Sequence, residues 1–150
     1  MTDAQASPPS PTEPPELAQA LDVARTWIDD LTHRLGWHEN DTAFYALLAC
    51  LHGLREALPK DEAVHIGVAL PVLLRGFYFD GWRPSGRSSV AKTRSGFLER
   101  IHDGVRGDPA VDPEQVARAV MAMLSTWLPA AEVENAKAVT PHELHGFWPS

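Results

Sequence analysis

Slid against itself by 70 residues, the 150-residue chain comes into register without a gap, from Trp27 opposite Phe97 to Tyr78 opposite Trp148. Nine of those 52 pairs are identical: Ala49 with Ala119, Leu54 with Leu124, Leu58 with Leu128, Pro59 with Pro129, Glu62 with Glu132, Pro71 with Pro141, Leu74 with Leu144, Gly76 with Gly146 and Phe77 with Phe147. Similar apolar pairs, such as Ile28 with Leu98 and Leu51 with Met121, fill the spaces between them. A common offset that also places both prolines of each half is the mark of a duplicated unit. Each unit is near the size at which a core of its own becomes marginal, so the two are expected to fold only against each other.

The apolar spacing within each unit is helical. Leu17, Leu21, Ala24, Ile28, Leu31 and Leu35 recur every three or four residues, and Gly36 follows as a left-handed stop. Asn40 and Asp41 offer a cap for a second, amphipathic helix carrying Phe44, Leu47, Leu48, Leu51, Leu54 and Leu58, which Pro59 ends. Asp61 can cap a short third helix through Leu70, and Pro71 can begin a fourth ending near Tyr78. In the second half, Asp112-Pro113-Glu114-Gln115 and Thr140-Pro141-His142-Glu143 are capping sequences. No alternating β-branched stretch bounded by a hairpin turn occurs. The expected fold is all-α: about eight short helices in two related four-helix halves, packed about an approximate twofold. Residues 1–15, with five prolines, form a tail, and residues 16–150 form one domain. Within it lie repeat 1 (16–82), a basic connector (83–93) and repeat 2 (94–150).

Charge and composition narrow the function. Thirteen Lys and Arg against twenty Asp and Glu give a net charge of -7, the wrong sign for general nucleic-acid binding. The run from Ala63 to Leu74 is nearly apolar but contains His65 and Pro71, and it falls short of the roughly 18 residues of a spanning helix. The single Cys50 closes no intramolecular disulfide, and no signal-peptide-like run opens the chain, so a cytoplasmic setting is expected. Cys50 lies on the Leu47, Leu51, Leu54 face opposite Val120, which makes it a buried hydrophobe rather than a nucleophile. No Gly-x-Ser-x-Gly, CxxC, GxGxxG, Walker loop or HExxH is present, and no cofactor is expected.

Two Glu-x-x-His spacings, Glu62 to His65 and Glu99 to His102, match the ligand pattern of di-iron helical bundles and define the enzyme alternative. The duplication opposes it, because these residues pair with Glu132 and Asn135 and with Asp29 and Thr32, so symmetric ligation is not encoded. His142 and His145 could share a transition metal on one helical face. Glu62 and Glu132 are read first as charges near helix N-termini, each worth about 0.3–1 kcal/mol. Gly76-Phe77 and Gly146-Phe147 are read as joints where glycine admits a neighbouring backbone and the aromatic anchors the helix end. Arg75, Arg83, Arg87, Lys92 and Arg94 stand against Asp80 alone between residues 75 and 94, a local charge of +4. That segment either contacts phosphate or nucleic acid or lies on the chain's own acidic surface. Trp82 either tucks into the core or anchors an interface.

The run Leu51-His52-Gly53-Leu54-Arg55-Glu56-Ala57-Leu58-Pro59-Lys60-Asp61-Glu62-Ala63-Val64-His65-Ile66-Gly67-Val68-Ala69-Leu70-Pro71 continues through Leu74-Arg75-Gly76-Phe77-Tyr78 to Gly81-Trp82. With Phe97-Leu98-Glu99-Arg100-Ile101 and the closing Glu143-Leu144-His145-Gly146-Phe147-Trp148-Pro149, it closely resembles the bacterial domain of unknown function 2267 family from about residue 20 to the end. Thr140 stands where that family's closing motif usually has Leu before Pro, and the proline-rich tail lies outside the pattern. The resemblance implies a helical, duplicated, soluble bacterial protein and carries over no activity, cofactor or catalytic residue. The expected function is a non-enzymatic protein-interaction or adaptor module, partnered by another protein or by a second copy.

Overall fold

The computed structural model describes residues 12–84 and 89–150, so Arg87 and most of the proline-rich tail lie outside the described residues. The chain forms α1 (Pro15–Leu35), α2 (Asn40–Ala57), α3 (Lys60–Ala69), α4 (Val72–Phe79), α5 (Arg94–Gly104), α6 (Pro113–Trp127) and α7 (Ala130–Val139). Short 3-10 segments at Ser89–Lys92 and His142–Phe147 complete it, and no strand occurs among the described residues. The all-α expectation holds.

Helix ends follow local chemistry where the sequence is unambiguous. Gly36 adopts φ +72°, and the Gly36 and Trp37 N–H groups donate to the carbonyls of His33 and Thr32, which closes α1. Asp112 caps α6 by accepting from the Glu114 N–H, with Pro113 as the first helical residue. Three expected caps do not form; Asp61 lies inside α3, whose N-terminal flank is Pro59. Asn40 donates to Asp29 (2.6 Å) and accepts from the Thr32 hydroxyl (2.7 Å), tying the start of α2 to α1. Thr140 donates instead to the Ala136 carbonyl (2.6 Å) and accepts from the Trp148 indole (2.9 Å), while Glu143 accepts from the Arg94 N–H across the fold. Asn40 is taken by partners on α1, and Thr140 by the preceding turn of α7 together with the Trp148 indole.

Helix α2 is the centre. It packs against α1, α3, α4, α5 and α6, and it buries Ala43, Ala46, Leu47, Ala49, Cys50, Leu51, Leu54 and Ala57. The amphipathic pattern narrows to one stripe, Asp41, Tyr45, Leu48, His52 and Glu56, which stays partly exposed while the rest of the helix is covered by its neighbours. Its side toward α5 is made of small residues, and a Cβ on Gly53 would sit 3.0 Å from Phe97. Gly104 on α5 faces Ala49 of α2 closely, Gly96 lies against Val90, and a Cβ on Gly67 would meet Phe79 and lie 2.6 Å from Tyr78.

The joints expected at Gly76 and Gly146 are not close approaches, since a Cβ at either would meet nothing within 4 Å. The paired aromatics also diverge. Phe147 is 1% exposed and stacks on Phe97 with centroids 5.8 Å apart, whereas Phe77 is 43% exposed. Phe97 on α5 closes over Phe147, and nothing equivalent covers Phe77. Cys50 is fully buried, and burial drives its thiol pKa far up, as befits a core residue.

Candidate functional site at the α3–α7 seam and the α2–α4 face

Short helices α3 and α7 pack against each other, and each carries its glutamate as the third helical residue. One oxygen of Glu62, one of Glu132 and a ring nitrogen of His65 all lie within 4.8 Å of one another. His65 Nδ1 stands 3.8 Å from Glu62 Oε1, with the His65 side chain 59% exposed and that of Glu62 only 11%. Glu62 Oε2 and Glu132 Oε1 are buried and have no hydrogen-bond partner. A buried acceptor left in that state costs about 1–3 kcal/mol. Burial holds the Glu62 carboxyl above its ordinary range, with Glu132 pushing the same way and His65 opposing.

Both glutamates stand in the first turn of their helices, as expected, yet one buried oxygen of each accepts no hydrogen bond. The metal set read from sequence is also rearranged. Glu62 and His65 meet Glu132, while Glu99 and His102 lie exposed on α5, outside that cluster. Sequence reasoning missed Glu132 as a partner, although the 70-residue offset had marked Glu62 and Glu132 as the one identical acidic pair between halves.

The connector cations are divided. Arg75 donates to the Leu70 carbonyl at 3.0 Å, and Arg94 pairs with Glu114 and lies over the Phe147 ring at 4.8 Å. Arg118 also binds Glu114, and these two guanidinium groups hold its carboxyl below the usual range. Arg83 and Lys92 are exposed. Trp82 tucks inward, half-buried on the core beside Phe79 at 5.7 Å.

The second feature is apolar. The Phe44 ring meets Tyr45 and Phe77 edge-on, each with centroids 5.3 Å apart, so α2 and α4 present an aromatic row. Tyr45 is 44% exposed, and Leu73, one helical turn before Phe77, adds to the row. Beneath it, His52 Nε2 lies 2.8 Å from the Phe77 carbonyl oxygen. Burial holds the His52 imidazole below its ordinary 6.5, with the Phe77 carbonyl opposing and Arg55 and Arg100 reinforcing the effect. A lowered folded pKa contributes stability above the unfolded value that is lost as pH falls through the folded one. Urea midpoints are therefore expected to decline from about pH 7 to about pH 5, and His52→Gln should flatten that decline. An unchanged slope in the variant would remove His52 as its source.

Among the described residues no helix is long and apolar enough to cross a membrane. The fold and these features define a small all-helical domain built around a buried central helix, with one acidic seam and one aromatic face. The chain belongs to the family described as an uncharacterized conserved protein, DUF2267, whose family model matches residues 24–147. No curated protein matches it.

Proposed function

We propose that this protein is a non-enzymatic protein-interaction or adaptor module of the bacterial cytosol, which receives a polypeptide partner on the aromatic face of α2 and α4. The observation that carries the reading is the row Tyr45, Phe44, Phe77 with Leu73, an exposed apolar cluster on packed helices. Contiguous aromatic surface of this kind marks interaction sites, and rigid aromatic side chains supply contact area at low entropic cost. We further infer that the chain arose by duplication of a four-helix unit. In support, α3 and α7 begin and end 70 positions apart, α2 and α6 end 70 apart, and the Leu58 and Leu128 N–H groups donate to Leu54 and Leu124. On this reading one copy's terminal aromatic, Phe147, closes the core, and the other's, Phe77, is free to contact a partner.

A photocrosslinking amino acid in place of Phe77, in the native cytosol, tests the interaction. Discrete protein adducts are expected there and not from the same group at exposed Arg25 on α1. Absence of any adduct at position 77 overturns the reading. Size measurement of the adduct then separates a second copy from a different protein.

A further inference from the structure

We propose that Glu62, His65 and Glu132 form a binding site for one divalent first-row transition-metal cation, a property independent of the interaction surface. Three observations converge. The ligand atoms of these side chains already lie within 4.8 Å of one another. Both carboxylates turn a buried oxygen into the seam that no donor satisfies. The charged groups acting on Glu62 are His65 and Glu132, and among the described residues no lysine or arginine acts on it.

Two carboxylates in a poorly hydrated seam repel each other and call for a counter-charge. The His65 imidazole beside them distinguishes the class of cation. Calcium and magnesium favour all-oxygen shells, whereas a mixed nitrogen and oxygen set suits zinc, manganese, iron or nickel. The half-exposed His65 leaves the site open on one side, giving an entry path and room for water as further ligands. The second half has Asn135 where the first has His65, so only one imidazole is supplied. That asymmetry points to a single ion rather than a symmetric pair.

Calorimetric titration with Zn²⁺ of the untagged, chelator-stripped full chain tests the site. One ion per chain is expected for the wild type. His142→Ala with His145→Ala is expected to keep that ion, since both residues lie outside the cluster. Glu132→Gln and His65→Ala should each weaken binding at least about tenfold. Glu132→Gln also relieves the carboxylate repulsion, so with chelator present it should melt no lower than the wild type while losing the zinc-induced rise in melting temperature. Undiminished zinc affinity in Glu132→Gln overturns the proposal. So does loss of the ion in the His142 and His145 variant, which would make the binding adventitious.

Discussion

Phe147→Ala is expected to lower the unfolding free energy by about 3–5 kcal/mol, and Phe77→Ala by only about 1 kcal/mol. The two residues occupy equivalent places in the 70-residue register, each after a glycine near the end of its half. Phe147 is buried against Phe97, with Arg94 and Arg118 over its ring at 4.8 and 5.5 Å. Removing it empties a packed site and takes away the aromatic surface beneath two guanidinium groups that Glu114 still holds. Phe77 already spends much of its surface in water, so its removal leaves no enclosed cavity. Urea denaturation followed by tryptophan fluorescence reads both variants. Equal losses would mean that both aromatics are core residues and would take away the exposed face on which the interaction reading stands.

Gly67→Leu is expected to cost about 3 kcal/mol, the upper range for overpacking a close-packed interior. The first side-chain carbon would meet Phe79 and would come within 2.6 Å of Tyr78. Tyr78 cannot swing aside cheaply, because its hydroxyl donates to the Ala63 carbonyl at 2.6 Å and its ring is fully buried. The contrast is Gly146→Ala, where a Cβ meets nothing within 4 Å and the reduced freedom of the unfolded chain should leave stability equal or higher by about 0.4–1 kcal/mol. Thermal melts of the two variants decide the matter. A tolerated leucine at position 67 would show that α3 and α4 can separate there without loss.

The candidate sites were legible only in part. The 70-residue offset singled out Glu62 and Glu132 as a retained pair, and Glu-x-x-His singled out Glu62 with His65. Neither pattern tells which helices will face each other, so Glu99 and His102 looked equally eligible until α5 was placed with both residues in solvent. The glycines misled for the same reason. Retention between halves drew attention to Gly76 and Gly146, while the tight approaches are at Gly53, Gly67, Gly96 and Gly104, where only the neighbouring element reveals that a side chain has no room.

By itself the sequence determined the helices and several of their ends: Gly36 after α1, Asp112 as cap with Pro113 opening α6, and Pro59, Pro71, Pro129 and Pro141 ahead of the short segments. These are short-range matters of missing N–H groups, left-handed backbone and capping oxygens within a few residues. The tertiary structure alone decided that α2 would keep only a narrow exposed stripe, that Asn40 would bind α1 and Thr140 the Trp148 indole, and that Phe147 would be covered while Phe77 would not. It also brought two acids onto one seam. Each outcome depends on which surfaces meet once the helices pack, and residues far apart in the chain make that choice through burial and space, which local patterning does not encode.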